Sequence, residues 1–404
     1  MTLQLSISQN RPRFFTRGVW VVSAIAMVGM LALAARFVLG LGAVTNLSNG
    51  YPWGLWIAID VACGVALAAG GFTTAFVAHL TNREEFHPLV RPALLTAMIG
   101  YTFVALGVMT DLGRFWAMWH VMLPQMWQGN SVLFEVAICV MTYVTVLYIE
   151  FLPIVCERFI GRAHLPEPLA FLNRPVDRLL RLLDAGLARV MTIFIILGVV
   201  LSCMHQSSLG TLMVIAGAKL HPLWQTPMLP MFFLLSAFAV GFAMVIFESL
   251  LASRSFRLEP EKAILAKLAR FIPVLLGIYT IAKVIDLLNR GAYVYLFDGS
   301  VASLLFVIEF GMGVALPFAI LMNDRWRHTP RGLLTAASLV ILGVVMNRLD
   351  VFLLAYTPTI QSDSYFPAFT EFAVTAGFIA MIVLIYRFIV LNFPVIERLE
   401  EVQA

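Results

Sequence analysis

The residues that could do chemistry in this chain are charged side chains placed where charge is costly. Asp60, Asp111, Arg114, Glu135, His205, Lys283, Asp286, Arg348, Asp350 and Glu371 fall inside or at the ends of long apolar runs. An ionisable group at such depth is retained for a partner or for a task. Asp111/Arg114 and Lys283/Asp286 are each spaced i, i+3, so each pair can share one face of a helix. Two roles are open to such pairs: mutual neutralisation, or the lining of a polar pocket. A pocket of carboxylates, arginine and one histidine suits a molecule with an apolar tail and a head that exchanges two electrons and two protons. A quinone has that chemistry, because its carbonyls need donors and its reduced form needs proton acceptors.

Glu309 lies near the middle of its apolar run, and Glu150 and Glu248 lie near the ends of theirs. Carboxylates at such stations could relay protons; a locally satisfied or protonated glutamate is the plainer reading. His205 could be a core histidine or an axial ligand. A haem held between helices needs two facing histidines at like depth. His79, His87, His120, His164, His221 and His328 fall in loops or at span ends, so no haem is expected. Cys63, Cys139, Cys156 and Cys203 are scattered without a CxxC and read as small packing residues. Neither an iron–sulfur cluster nor a metal site is expected in this chain.

Membrane-spanning helices must position these side chains. Mean hydropathy is +0.90 and only 12% of residues are charged, about half the charged share of a soluble domain. Runs of about 20 apolar residues cross the hydrocarbon core as helices, because backbone polar groups cannot stay unpaired in lipid. The period-two alternation of a membrane barrel is absent. The net charge of +4 comes from short flanking loops and gives no reason to expect a nucleic-acid partner.

The expected fold is therefore all-α, a polytopic membrane helix bundle of about ten transmembrane helices. The spans read as 18–42, 53–80, 92–118, 131–156, 183–205, 226–250, 263–288, 300–322, 332–355 and 369–392. Loops on one side hold Arg11, Arg13, Arg17, Arg83, Arg91, Arg158, Arg162, Arg254, Arg325 and Arg398, and the opposite side offers only Arg114, Lys219 and Arg290. The positive-inside rule makes the basic side, with both termini, cytoplasmic. One integral membrane domain is expected over 1–404, with 1–17 and 393–404 as cytoplasmic tails. The first span contains Arg36 and no small-residue cleavage pattern follows it, which reads as a retained anchor. The outer loops carry Trp119, His120, Trp127, His221, Trp224, Tyr356 and Tyr365, suited to a membrane interface or a docked partner.

Longer motifs run through the first six spans. They are YPWGLWIAID (Tyr51–Asp60), HPLVRPALL (His87–Leu95), TDLGRFW (Thr110–Trp116), NSVLFE (Asn130–Glu135), MHQSSLGTL (Met204–Leu212), HPLWQ (His221–Gln225) and LPMFFLLSAF continuing to Glu248. In these the chain resembles the NrfD/PsrC family of quinone-reactive membrane subunits, and within it the HybB-type subunits of periplasmic nickel–iron hydrogenases. The resemblance implies a multi-pass protein of a bacterial inner membrane that binds menaquinone or ubiquinone. It also implies a periplasmic ferredoxin-like iron–sulfur subunit as partner, wired to a catalytic subunit. That subunit would be a nickel–iron hydrogenase large subunit, or one of a molybdopterin or multihaem cytochrome complex. By motif, His205 and Arg114 become donors to the quinone oxygens, and Asp111 and Glu135 proton acceptors. Asp60 becomes a further quinone-binding position by motif, and Trp53, Arg348, Lys283 and Asp286 are expected to join it; Glu309, Glu248 and Glu150, from their depth alone, could form a proton path. Two readings compete. A secondary transporter would show paired helices broken near the midplane, whereas a pure anchor would tolerate substitution of the polar cluster.

Overall fold

The computed structural model describes residues 14–80, 83–162, 166–358 and 365–396. Arg11, Arg13, His164, Arg398 and the outer parts of both tails lie outside the described residues. Among the described residues, ten helices are long and apolar enough to cross a membrane. They are α1 (Arg17–Leu39), α2 (Trp56–His79), α3 (His87–Asp111), α4 (Val132–Phe159) and α5 (Asn173–Ile215), followed by α6 (Leu229–Phe256), α7 (Lys262–Asn289), α8 (Val301–Met322), α9 (Pro330–Leu354) and α10 (Phe369–Asn392). The one isolated bridge among them joins Leu220 to Tyr356.

Several helices begin where a hydroxyl can take a free backbone N–H. Thr16, Ser131, Ser300 and Thr329 cap α1, α4, α8 and α9 through Val19, Phe134, Ser303 and Gly332. Helices α2 and α6 are the most enclosed, and α1 is covered mainly on the side where it meets α10. The core is aromatic, with Trp56, Tyr101, Tyr143, Trp224, Phe233 and Phe352 fully buried. Both described ends lie at one end of the bundle: Arg387 Nε donates to Phe14 O at 3.0 Å, and Arg91 Nη1 donates to Pro394 O at 2.9 Å.

Two of the expected spans differ most at their ends. The third stops at Asp111 rather than 118. Arg36 reaches across from α1 and takes the carbonyls of Thr110 and Leu112, and Phe115–Met122 then forms a short 3₁₀ helix near the surface. The fifth runs over 173–215 rather than 183–205. Its charged start continues as helix with an Asp177–Arg181 ion pair at 2.9 Å. Beyond His205, the hydroxyls of Ser207, Ser208 and Thr211 fold back onto helix carbonyls. Polarity marked the edge of the apolar run, not the edge of the helix. His205 thus lies about 15 Å below the end of α5.

Four π-helical segments occur in the spans, at Trp56–Cys63, Phe76–Leu80, Gly311–Ala315 and Asp350–Leu354. Such segments re-aim side chains within a helix. Asp60 and Asp350 lie in two of them, and Glu309 stands two residues before the third. Close crossings rely on glycine: a Cβ on Gly377 would sit 2.6 Å from Gly29 Cα, and one on Gly313 2.3 Å from Gly343 Cα. Gly377→Val should therefore push α1 off α10 and destabilise the protein by about 1–3 kcal/mol. A thermal melt in detergent checks this, and an unchanged midpoint would contradict it.

Candidate functional site

Three buried polar groups occupy the bundle, and the first is shared by α1, α2, α3 and α10. Glu371, in the first turn of α10, is fully buried. Its Oε1 accepts from Tyr365 Oη at 2.6 Å, and its Oε2 accepts from the N–H groups of Ala368 and Asn46 at 2.7 and 3.3 Å. Trp56 Nε1 donates to its backbone carbonyl at 3.1 Å. One turn further along α10, Thr375 donates to Asp60 Oδ2 at 2.7 Å. Asp60 is 8% exposed and packs its Cβ on Gly107, one turn before Asp111. Arg36 and Glu371 are the charges that act on Asp111, whose Oδ1 is buried without a donor. Asp60, Asp111 and Glu371 thus stand within about a turn of one another on three helices. Tyr51 stacks on Tyr365 at 5.8 Å, and Trp53 meets Phe352 edge-on at 6.5 Å.

The second group joins α6, α7, α8 and α9. Lys283 and Asp286 do share a buried face of α7, yet they serve different partners. Asp286 pairs with Arg290 at 2.6 Å and accepts from Thr226 Oγ1 at 2.6 Å. Lys283 donates to Leu223 O at 3.3 Å and lies over the rings of Phe232 and Phe306. Glu309 accepts from Trp224 Nε1 at 2.9 Å and from Asn347 Nδ2 at 2.8 Å. Arg348 donates to Asn347 Oδ1 at 2.6 Å, to Ser236 Oγ at 2.9 Å and to Phe233 O at 3.2 Å, with its guanidinium 3.5 Å from the Phe233 ring centre. Both Asp350 carboxylate oxygens lack a donor, and the side chain faces the Glu309 carboxyl. A cavity of about 20 Å³, room for one water, adjoins Glu309, Asn347, Ser236 and Tyr279. A larger one of about 390 Å³ opens beside Thr226, Gln225 and Arg290.

The third group lies along α3, α4 and α5. His205 is fully buried beside Tyr101, their ring centres 5.5 Å apart. Glu135, in the exposed first turn of α4, accepts from Ser208 Oγ at 2.5 Å. Glu150 lies farther down α4, against Gly198 of α5. Glu248 stands apart at the far end of the bundle, near Thr96 and Tyr386, on a cavity of about 390 Å³.

The structure brings Asp60 and Asp111 to one place and Lys283, Asp286, Glu309 and Arg348 to another, while Trp53 meets Phe352 of α9. It does not bring Arg114 onto a helical face with Asp111. The helix ends at Asp111, Leu112 is extended, and Arg114 is exposed. Arg36 takes the position by Asp111 that the spacing had suggested for Arg114. Nor does His205 join the first group, since α5 continues well past it. Arg36 carried the same signal as those residues, a charge in an apolar run, and Glu371 stood among them without a role; their contacts across helices have no sequence spacing to reveal them. Among the described residues no group of three or more His, Cys, Asp or Glu could hold a metal ion.

Ten spans with carboxyls drawn together near the ends of α2, α3 and α10 define a polytopic membrane protein built around buried polar stations. Residues 43–359 match the family described as polysulphide reductase, NrfD. The chain belongs to that family. It is 35% identical over 96% of its length to the probable Ni/Fe-hydrogenase 2 b-type cytochrome subunit of Escherichia coli (strain K12), covering 95% of that protein. It is 25% identical over 95% of its length to a selenate reductase subunit of Mesobacillus selenatarsenatis, again covering 95% of the relative. It is also 25% identical over 92% to the menaquinone reductase integral membrane subunit of Nitratidesulfovibrio vulgaris, covering 90% of it. This is a multi-pass protein of a bacterial inner membrane, homologous to the membrane subunits of hydrogenase and reductase complexes.

Proposed function

We propose that this protein is the quinone-reactive membrane subunit of a respiratory oxidoreductase complex. It passes electrons between a periplasmic ferredoxin-like iron–sulfur subunit and the membrane quinone pool. The catalytic partner is a nickel–iron hydrogenase, the reading favoured by the 35% identity along nearly the whole chain. The basic loops and both termini face the cytoplasm. The observation that carries the proposal is the convergence of Asp60, Asp111 and Glu371, with an Asp111 oxygen buried and undonated. Such a site needs a donor from a ligand, and a quinol hydroxyl is one.

A quinone supplies the two-electron, two-proton chemistry when bound. The chain's own residues do the rest. Asp60 and Asp111 exchange protons with the ring oxygens. Arg36 holds the end of α3, and with it Asp111, in place. Trp53 and Tyr51 wall the entrance, with Arg114 and Glu135 at its rim. Lys283, Asp286 and Arg348 support the second group, and Glu309, Glu248 and Glu150 are stations at which protons can be held.

The Escherichia coli relative's name includes a b-type cytochrome. Three of the described histidines offer a haem no facing pair. His79 and His87 are in direct edge-to-face contact at 4.8 Å, too close to flank a ring, and His205 faces Tyr101.

The assembled complex tests the proposal through Asp111→Asn. Quinone-linked turnover should fall by roughly 10²-fold or more, with the subunits still co-purifying and turnover with a water-soluble acceptor unchanged. Full quinone turnover in this variant would overturn the assignment.

A further inference from the structure

A cavity of about 390 Å³ opens at the end of the bundle where both described ends lie. Pockets that enclose a ligand measure about 300–1,000 Å³. This one lies between α1 and α6, with α10 behind. Its walls are apolar: Val19 and Val22 come from α1, Met244, Phe247 and Leu251 from α6, and Val383 from α10. Leu251 and Val383 are also exposed at the surface, so the cavity opens sideways towards lipid. Along α6 it runs from Ser255 to Met244, about 16 Å.

The rim of this cavity is polar and positively charged. Arg387 donates through Nη1 to Ser255 Oγ at 3.1 Å and through Nε to Phe14 O at 3.0 Å, and its guanidinium lies 5.3 Å from the Phe256 ring centre. These contacts fix a buried cation at the mouth, beside Thr16. Arg17 adjoins Thr16 and Arg254 adjoins Ser255; both are exposed, and among the described residues neither is in an ion pair. The start of α1 is at the same rim, and the positive end of a helix of 23 residues favours an anion. Acidic side chains stand elsewhere. Glu259 and Glu261 line a separate hollow of about 60 Å³ beside Pro88 and Pro92 of α3. Glu248 shares a wall with Thr96 and Tyr386, about 10 Å further in than Ser255 along α6.

We propose that this cavity binds one anionic phospholipid of the adjoining leaflet. Its phosphate sits at the Arg387–Ser255 rim, and one acyl chain lies between α1 and α6. The charge of the rim selects the occupant. Apolar walls alone accept any lipid tail, whereas basic pockets between transmembrane helices favour acidic head groups. A zwitterionic lipid brings an ammonium group along with its phosphate, and Arg17 and Arg254 disfavour that second charge. The bound lipid joins α1 to α6, where α1 otherwise meets the bundle mainly through α10. The site is independent of the quinone reading.

Native mass spectrometry of the full chain in mild detergent tests this, with titration by phosphatidylglycerol or by phosphatidylethanolamine of the same tails. The unaltered chain should retain one phosphatidylglycerol, preferred over phosphatidylethanolamine by about tenfold or more. Arg17→Gln and Arg254→Gln should each weaken phosphatidylglycerol binding by roughly fivefold and leave phosphatidylethanolamine binding unchanged. Val22→Trp fills the cavity and should abolish retention of that molecule. Equal retention of the two lipids by the unaltered chain would overturn the proposal. So would unchanged phosphatidylglycerol binding in both arginine variants, which alter exposed side chains and decide the matter even where Val22→Trp fails to fold. Displacement of the bound lipid by an equal concentration of inorganic phosphate would overturn it too, since the anion alone would then be the ligand.

Discussion

Asp60→Asn is expected to cut quinone-linked turnover by about 10²- to 10⁴-fold, the range for loss of a positioned proton-exchanging group. The substitution is nearly isosteric. Its amide oxygen can still accept from Thr375, which bonds the carboxylate at 2.7 Å, and its volume still fits against Gly107. Packing between α2, α3 and α10 therefore survives, and what is lost is the capacity to take up and release a proton. Thr375→Val removes only the hydrogen bond that orients Asp60, so its effect should be smaller, with more change in kcat than in KM. Steady-state assays with a quinone analogue and a water-soluble acceptor separate the two effects. Equal loss with both acceptors would mean that the complex is damaged rather than its quinone site.

Arg348→Met should lower stability by about 3–5 kcal/mol, the usual loss when one member of a buried charge network is removed. The guanidinium is 1% exposed. Its removal takes a donor from Asn347 Oδ1 and Ser236 Oγ, while Phe233 O keeps the Ser236 hydroxyl. It also takes a positive charge from beside Glu309. Adding Glu309→Gln should restore part of the loss, because the remaining acid is then less exposed to an unbalanced field. Thermal unfolding of the purified protein reads both variants. Equal melting points for Arg348→Met and the unaltered chain would show that α6 and α9 do not depend on this contact.

The number of helices was legible in the sequence because a twenty-residue apolar run has few alternatives in lipid. Their ends were less so. At α5, polar residues after His205 looked like a loop, yet their hydroxyls return to helix carbonyls and the helix continues. At α3, the helix ended early because Arg36, 74 residues away, took the carbonyl of Thr110. Neither event leaves a local mark. The same holds for the site. Asp60, Asp111 and Glu309 could be picked out by the cost of burying them, but which charges meet depends on helix rotation. The π-helical segments at Asp60 and Asp350 change that rotation without a clear signature in residue type. Lys283/Asp286 shows the limit well: the shared face is real, while the ion pair is with Arg290, a further turn along.

The most direct test of the central claim is a structure of the assembled complex with a bound quinone analogue. The account predicts ring density at the ends of α2, α3 and α10, with a ring oxygen within hydrogen-bond reach of Asp60 or Asp111 and the tail leaving towards lipid. Density for the ring elsewhere, such as in the cavity beside Thr226 and Arg290, with Asp60 and Asp111 untouched, would contradict it.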